Sequence, residues 1–211
     1  MPGCLESSHI SDHFDPSAIS ETSTCMPDRE ADARASAFLA QCMKEHDSAG
    51  GVVECVVSGV PAGIGDPVFE KLDAMLSMAV MSIGAVKAVE IGDGIAAASR
   101  KGSENNDAFY ADHGQIKKKT NHAGGILGGI SDGSEIILRA HFKPTPSIFQ
   151  KQHTVTNTLE NTELEIRGRH DPVVVPRAVV VVECMTALTI LDACMKNMTA
   201  RLDYLVDFYQ S

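Results

Sequence analysis

"PVFEKLDAMLSMAVMSIGAVKAVEIG", residues 67–92, changes its period halfway along, and that change decides the fold. From Pro67 the apolar positions Val68, Phe69, Leu72, Leu76, Ala79, Val80 and Ile83 follow the helical repeat, which predicts a helix over 67–83 ending near Gly84. Residues 85–92, "AVKAVEIG", then alternate as a strand does.

Working outward, "GVVECVVSGV" (51–60) is a β-branched strand, and "EIILRAHF" (135–142) alternates again. A further strand is expected around Leu164–Arg167. Pro27, Asp28 and Glu30 open a helix that runs to about Glu45, with Ala31, Ala35, Phe38, Cys42 and Met43 on its buried side. The last long helix starts near Pro176, runs through Met195 and resumes after a break towards Tyr209. Strands and long helices segregate without βαβ alternation, which favours an α+β fold. The helices at 67–83 and 176–195 are expected among its most buried elements.

Residues 1–25 form a Ser-rich, irregular arm ahead of a single domain at 26–211. Within the arm His9 and His13 stand one helical turn apart, the spacing of a metal pair, but a polar terminus without metal is the expected reading. Residues 93–134 show little periodicity, and an irregular stretch of that length points to function or disorder.

The bulk composition narrows the function. With 211 residues, 44% of them hydrophobic, the chain can bury a real core. A net charge of −10 argues against nucleic acid as partner, and the short run Lys117–Lys119 is expected to be a solvated loop. The six cysteines have neither disulfide-framework nor CxxC spacing, so a reduced, cytoplasmic protein is expected. The most apolar stretch, Val173–Met195, carries Arg177, Glu183 and Asp192 and is expected to be a buried helix with no membrane partner.

Three segments hold residues that connectors do not need. "TNHAGGILGGISDG" (120–133) packs five glycines into fourteen positions, so either its turns need positive φ or something lies against bare backbone. In "FKPTPSI" (142–148), Lys143, Thr145 and Ser147 offer one cation and two hydroxyls on a loop stiffened by Pro144 and Pro146. That suits a phosphate, and equally a Pro-rich turn with an exposed lysine. In "RGRHDP" (167–172), Arg169, His170 and Asp171 combine a fixed cation, a titratable ring and a proton acceptor, although alone the segment reads first as a helix lead-in.

Taken together and in this order, these segments resemble the chorismate synthase family. Residues 47–94 resemble the family's central stretch almost without gaps, and "GSENND" (102–107), the glycine segment, "FKPTPSI", "QHTV" (152–155) and "GRHDPVVVPRAVVVVECMTAL" (168–188) follow in the family's order. The resemblance covers about residues 25–195. It implies an antiparallel sheet packed on long helices, half of the family's β-α-β sandwich. It implies a reaction as well: 5-enolpyruvylshikimate 3-phosphate loses phosphate and a ring proton in an anti-1,4 elimination that gives chorismate. Reduced FMN is the implied cofactor, lending an electron for departure of the phosphate and receiving the proton at N5.

By the same resemblance, FMN rests on Gly84, Ala85, Gly128, Lys143, Pro144, Thr145, Pro146, Ser147 and Arg169, with Asp171 as the catalytic carboxylate near N5 and no metal. Gly84, Ala88 and Pro146 depart from the residues most usual in the family. Family chains are longer at the N-terminus, where their two histidines and substrate-binding arginines lie, so neither histidine is assigned to a His here. The implied assembly is a homo-oligomer, a tetramer in the family, or association with a separate N-terminal half. Alone, the chain is expected to be a weak or inactive synthase; the alternative is a non-catalytic flavin-binding or oligomerisation remnant.

Overall fold

The computed structural model describes residues 16–168 and 171–210. In chain order the elements are α1 (Pro16–Glu21), α2 (Arg29–Lys44), β1 (Gly51–Val57), α3 (Leu72–Met81), β2 (Val86–Ile91), a 3-10 helix at Gly94–Ser99, α4 (Gly102–Asn105), β3 (Phe109–Asp112), β4 (Gln115–Lys118), β5 (Ile126–Leu127), β6 (Ile130–Ser131), β7 (Ile136–Phe142), β8 (Gln152–Val155), β9 (Asn161–Leu164), α5 (Val175–Asn197) and α6 (Leu202–Gln210). This is an α+β chain. Contacts group it into two compact units, one of residues up to Val52 together with Phe142–Val179, the other of Val53–His141 with Val180 onward.

In the first unit α2 begins at the Asp28 cap, whose carboxylate accepts from Glu30 N at 2.8 Å and Ala31 N at 3.1 Å. Such a cap is worth about 1 kcal/mol. Ala31, Ala35 and Cys42 are buried as expected, but Phe38 and Met43 are 39% and 61% exposed. The buried stripe is therefore narrow and built from small residues. The expected strand near 164–167 lies slightly earlier, with β9 pairing antiparallel to β8 in an exposed hairpin. The arm expected to be irregular contains α1, while His9, His13 and Cys4 lie outside the described residues.

The second unit is built on a three-stranded sheet in the order β1-β7-β2. Central β7 alternates strictly: Ile136, Leu138 and Ala140 are fully buried, and Arg139 and His141 stand on the other face. There Arg139 Nε lies 2.6 Å from Glu54 Oε2 of β1, and its Nη1 donates to Gly92 O at 2.7 Å. Opposite charges on neighbouring strands help fix this pairing.

Helix α3 buries Leu72, Leu76 and Val80 completely, one residue per turn. It starts at Leu72, not at 67 as its periodicity suggests. Lys71 gives no side-chain cap; instead Leu72 N donates to Gly129 O at 2.8 Å. A carbonyl distant in sequence sets the helix start, and Val68 and Phe69 are left 63% and 94% exposed. Helix α5, expected to be a buried helix, is not one: Ala178, Val182, Thr186 and Ile190 are buried at four-residue steps, and the opposite side, with Val181, Leu188, Leu191 and Met195, is exposed. Burial pushes the thiol of Cys55 on β1 above its ordinary value, and the nearby Thr186 hydroxyl offsets only part of this.

The stretch 93–134 is neither a long loop nor disordered. It folds into the 3-10 helix, α4 and two small antiparallel hairpins, β3–β4 and β5–β6. Polar groups hold it together, which is why hydrophobic periodicity does not reveal it.

Burial predicts a sharp contrast between Leu76, four positions after Leu72 and fully buried, and Phe69, three positions before it and exposed. Leu76→Ala should lower the free energy of unfolding by about 3 kcal/mol, whereas Phe69→Ala should change it by about 0.5 kcal/mol or less. Urea denaturation followed by circular dichroism measures both, and similar losses at the two positions would contradict this packing.

Candidate functional site

Within the first unit, the loop leaving β7 is braced from below by Ser48–Gly50. Ser48 Oγ donates to Thr145 O at 2.7 Å, and Ala49 N donates to Pro172 O at 2.7 Å. A Cβ on Gly50 would stand 2.5 Å from Phe142 O and 3.2 Å from Pro144, so only glycine lets this segment approach. Gln152 Nε2 fixes the far side by donating to Pro146 O at 2.8 Å. These bonds occupy carbonyls. The exposed Lys143 ammonium and the hydroxyls of Thr145 and Ser147 make no hydrogen bond or ion pair with the described residues. A stiff loop thus presents a cation and two hydroxyls, all unspent.

The same brace reaches the second candidate loop through Pro172, beside Asp171. Asp171 is held by Arg177 at the start of α5, with Nη1–Oδ2 at 2.8 Å and Nη2–Oδ1 at 3.3 Å. This two-point contact fixes the plane of the carboxylate. Arg169 and His170 lie outside the described residues. Ser48 was not among the candidates from sequence; a serine two residues before a glycine carries no signal until the loop it braces is known.

The remaining candidates belong to the second unit. Gly84 and Ala85 occupy a turn closed by Val86 N donating to Ile83 O at 3.3 Å. Ala85 has φ +72°, a left-handed conformation that costs an alanine about 1–2 kcal/mol. Gly84 precedes it, so glycine stands one place before the position that favours it. Strain of this kind concentrates at ligand-contacting backbone.

The glycine segment resolves its own question. Gly128 and Gly129, with φ +61° and +90°, form the two-residue connection of the β5–β6 hairpin, where both central residues take positive φ. Close approach operates too, but to protein: a Cβ on Gly124 would sit 2.4 Å from Gly92 N, and one on Gly129 2.5 Å from Asp66 O. Gly128 differs, because a Cβ there meets nothing within 4 Å. Its backbone is bare towards open space.

Lys118, expected in a solvated loop, is instead buried, its side chain 4% exposed. Its Nζ lies 2.6 Å from Asp132 Oδ2, 3.0 Å from Asn121 Oδ1 and 3.7 Å from Asp107 Oδ2. Asp107 also accepts from Thr120 Oγ1 at 2.7 Å, His122 N at 2.8 Å and Ala123 N at 2.9 Å. Burial alone would raise the Asp107 carboxyl, but bonds from Ala123, Thr120 and His122 and the Lys118 charge outweigh it and hold it below its ordinary value. Asp132 is likewise lowered: burial opposes, while Lys118 and Ser134 prevail. Asn121 completes the frame, accepting from Gly125 N at 2.9 Å and donating to Glu135 O at 2.8 Å. Beside it, His122 Nδ1 and Arg100 Nη1 approach Asp93 Oδ2 at 2.6 Å and 2.7 Å. Among the described residues no group of three His, Cys, Asp or Glu side chains is placed to hold a metal.

The family profile described as chorismate synthase matches residues 6–195. A chorismate synthase of Agathobacter rectalis is 56% identical over 198 residues, covering 94% of this chain and 54% of its own. One from Archaeoglobus fulgidus is 57% identical over 171 residues, covering 81% of this chain and 47% of its own. A crystal structure of chorismate synthase superposes with a TM-score of 0.72 at 29% identity, over 87% of this chain and 48% of that one. The α+β architecture is thus of the class seen in a biosynthetic lyase. The chain belongs to the chorismate synthase family. It spans about half the length of the curated relatives it matches.

The Lys118 cluster carries a testable consequence. Lys118→Met strands two buried carboxylates and should cost about 3–5 kcal/mol. Because both carboxyls titrate below their ordinary 3.8 when folded, the stability they contribute is complete above about pH 5 and is lost as the pH falls through their lowered values. Asp107→Asn should flatten that acid limb in a pH-dependent unfolding series. A Lys118→Met protein within 1 kcal/mol of the parent would refute the cluster's role.

Proposed function

We propose that this chain supplies the flavin-binding and proton-handling part of a chorismate synthase. The overall reaction breaks the allylic C–O bond to phosphate and one ring C–H bond of 5-enolpyruvylshikimate 3-phosphate and forms a new ring double bond, without net redox change. The observation that carries this reading is the braced loop with unspent Lys143, Thr145 and Ser147.

The residues present fit the FMN phosphate. Lys143 provides a point charge, Thr145 and Ser147 provide hydroxyl donors, and the tied carbonyls at Thr145 and Pro146 keep acceptors turned away from an anion. Arg169 is proposed as a second cation for the same cofactor. In the second unit, Gly84, Ala85 and the bare backbone at Gly128 offer surface to a flat ring system. Reduced FMN, when bound, supplies the electron density that allows phosphate to depart. Asp171, oriented by Arg177, takes or holds the transferred proton. Five described cysteines are unpaired, which suits the reducing cytoplasm.

Lys143→Ala should weaken FMN binding about tenfold, and more at low salt, where the charge is less screened. Asp171→Asn should leave FMN affinity within about twofold while lowering turnover of the substrate once the chain is assembled with the rest of a synthase. Flavin fluorescence titration gives the first quantity and chorismate formation the second. FMN affinity unchanged by Lys143→Ala would remove the phosphate assignment.

A further inference from the structure

Residues 48–51, the segment entering β1, meet two loops in alternation. Ser48 Oγ donates to Thr145 O at 2.7 Å, and Ala49 N donates to Pro172 O at 2.7 Å. A Cβ on Gly50 would stand 2.5 Å from Phe142 O and 3.2 Å from Pro144 Cδ, and one on Gly51 would stand 2.8 Å from Val175 Cγ2. The even positions therefore face 142–145 and the odd positions face 172–175. Both loops take their place from the same four residues.

The Ser48 bond closes a freedom that the prolines leave. Pro144 and Pro146 fix their own φ, and Pro146 also restricts Thr145 before it. The peptide plane between Thr145 and Pro146 remains free to turn, and the Thr145 hydroxyl moves with it. Pinning Thr145 O to Ser48, and Pro146 O to Gln152 Nε2 at 2.8 Å, stops that rotation. The far end of the loop returns to the same stretch of chain. There Gln150 Nε2 donates to Glu45 O at 2.9 Å, and the Phe149 ring meets His46 edge-on at 6.0 Å.

We infer that residues 48–51 are the spacer that sets the phosphate-holding loop against the Asp171 loop, and that Ser48 is a positioning residue for the cofactor phosphate. It pre-sets Thr145 without touching the ligand. This rests on the assignment of Lys143, Thr145 and Ser147 to FMN. Asp171 depends on the same spacer, because its neighbour Pro172 is tied to Ala49 while Arg177 holds its carboxylate at 2.8 Å and 3.3 Å. A phosphate seated on the first loop thus steadies a segment that also holds the second, and loosening that segment weakens phosphate binding in return. A purely structural role for Ser48 fits less well. The spacer is anchored by the buried side chain of Ala49 and leans on buried Phe142, so the fold does not hang on one hydroxyl.

The test compares FMN with riboflavin, which lacks only the phosphate. In fluorescence titrations of this chain, Ser48→Ala should weaken FMN about fivefold, the worth of one neutral hydrogen bond, and leave riboflavin affinity within about 1.5-fold. Amide hydrogen exchange gives a second reading that needs no variant: saturating FMN should slow exchange at Ala49 in the parent chain, and riboflavin should not. Where riboflavin binds too weakly to titrate, the Ala49 amide decides. Equal weakening of both flavins by Ser48→Ala overturns the inference, since the residue then serves the fold and not the phosphate. So does an Ala49 amide indifferent to FMN. Loss of FMN affinity in Lys143→Ala with none in Ser48→Ala removes this inference alone. A parent chain that binds no FMN, or a Lys143→Ala chain that binds it as well as the parent, removes the phosphate assignment beneath it.

Discussion

The buried ammonium of Lys118 is the contact on which the second unit's glycine-rich segment depends. The segment it anchors has five glycines and few large side chains, so apolar burial cannot hold it in place. Asp132 on one side of the ammonium and Asp107 on the other tie β4 to both ends of that segment, and Asn121 passes the constraint to Gly125 and Glu135. From there a single carbonyl, Gly129 O, receives Leu72 N and fixes where α3 begins. A local ion cluster thereby sets the register of a helix whose buried face forms much of the core. Breaking such a cluster from one side costs more than the cluster contributes as a whole, because the abandoned charges stay buried.

The first unit solves a similar problem with other means. Its buried residues are mostly alanines, with Cys42 and Phe142, so it gains less from burial per residue than the valine-, isoleucine- and leucine-lined core of the second. Rigidity where it matters comes from directed bonds: Ser48 to Thr145, Ala49 to Pro172, Gln152 to Pro146. Each takes up a carbonyl, while the Lys143 ammonium and the Thr145 and Ser147 hydroxyls stay unengaged by the described residues. The loop is therefore pre-set to meet acceptor-rich groups, which is the polarity a phosphate requires.

How much of this was legible in the sequence depended on the kind of force involved. Elements held by apolar periodicity are the legible ones: α2, α5 and the strands β1, β2 and β7 lie within about three residues of where the pattern puts them, while α3 starts five residues late. The α+β class followed from them. What escaped was structure held by polar bonds. Lys118 looked like one of three solvated lysines because nothing in its neighbours announces Asp107 and Asp132 as partners. Val68 and Phe69 fitted a helical stripe yet lie outside α3, since the helix takes its cap from Gly129, 57 positions away from Leu72 in sequence. The glycines were legible as a problem but not as an answer: most of them serve the protein's own turns and close contacts, and Gly128 is the one that opens outward.

An ion cluster at the base of a glycine-rich segment also responds to heat differently from an aliphatic core. The hydration of charged groups becomes less favourable as temperature rises, so the penalty for keeping Lys118, Asp107 and Asp132 out of water shrinks, while the gain from burying Leu72 and Leu76 levels off. On warming, the glycine segment should loosen later than its lack of apolar side chains suggests.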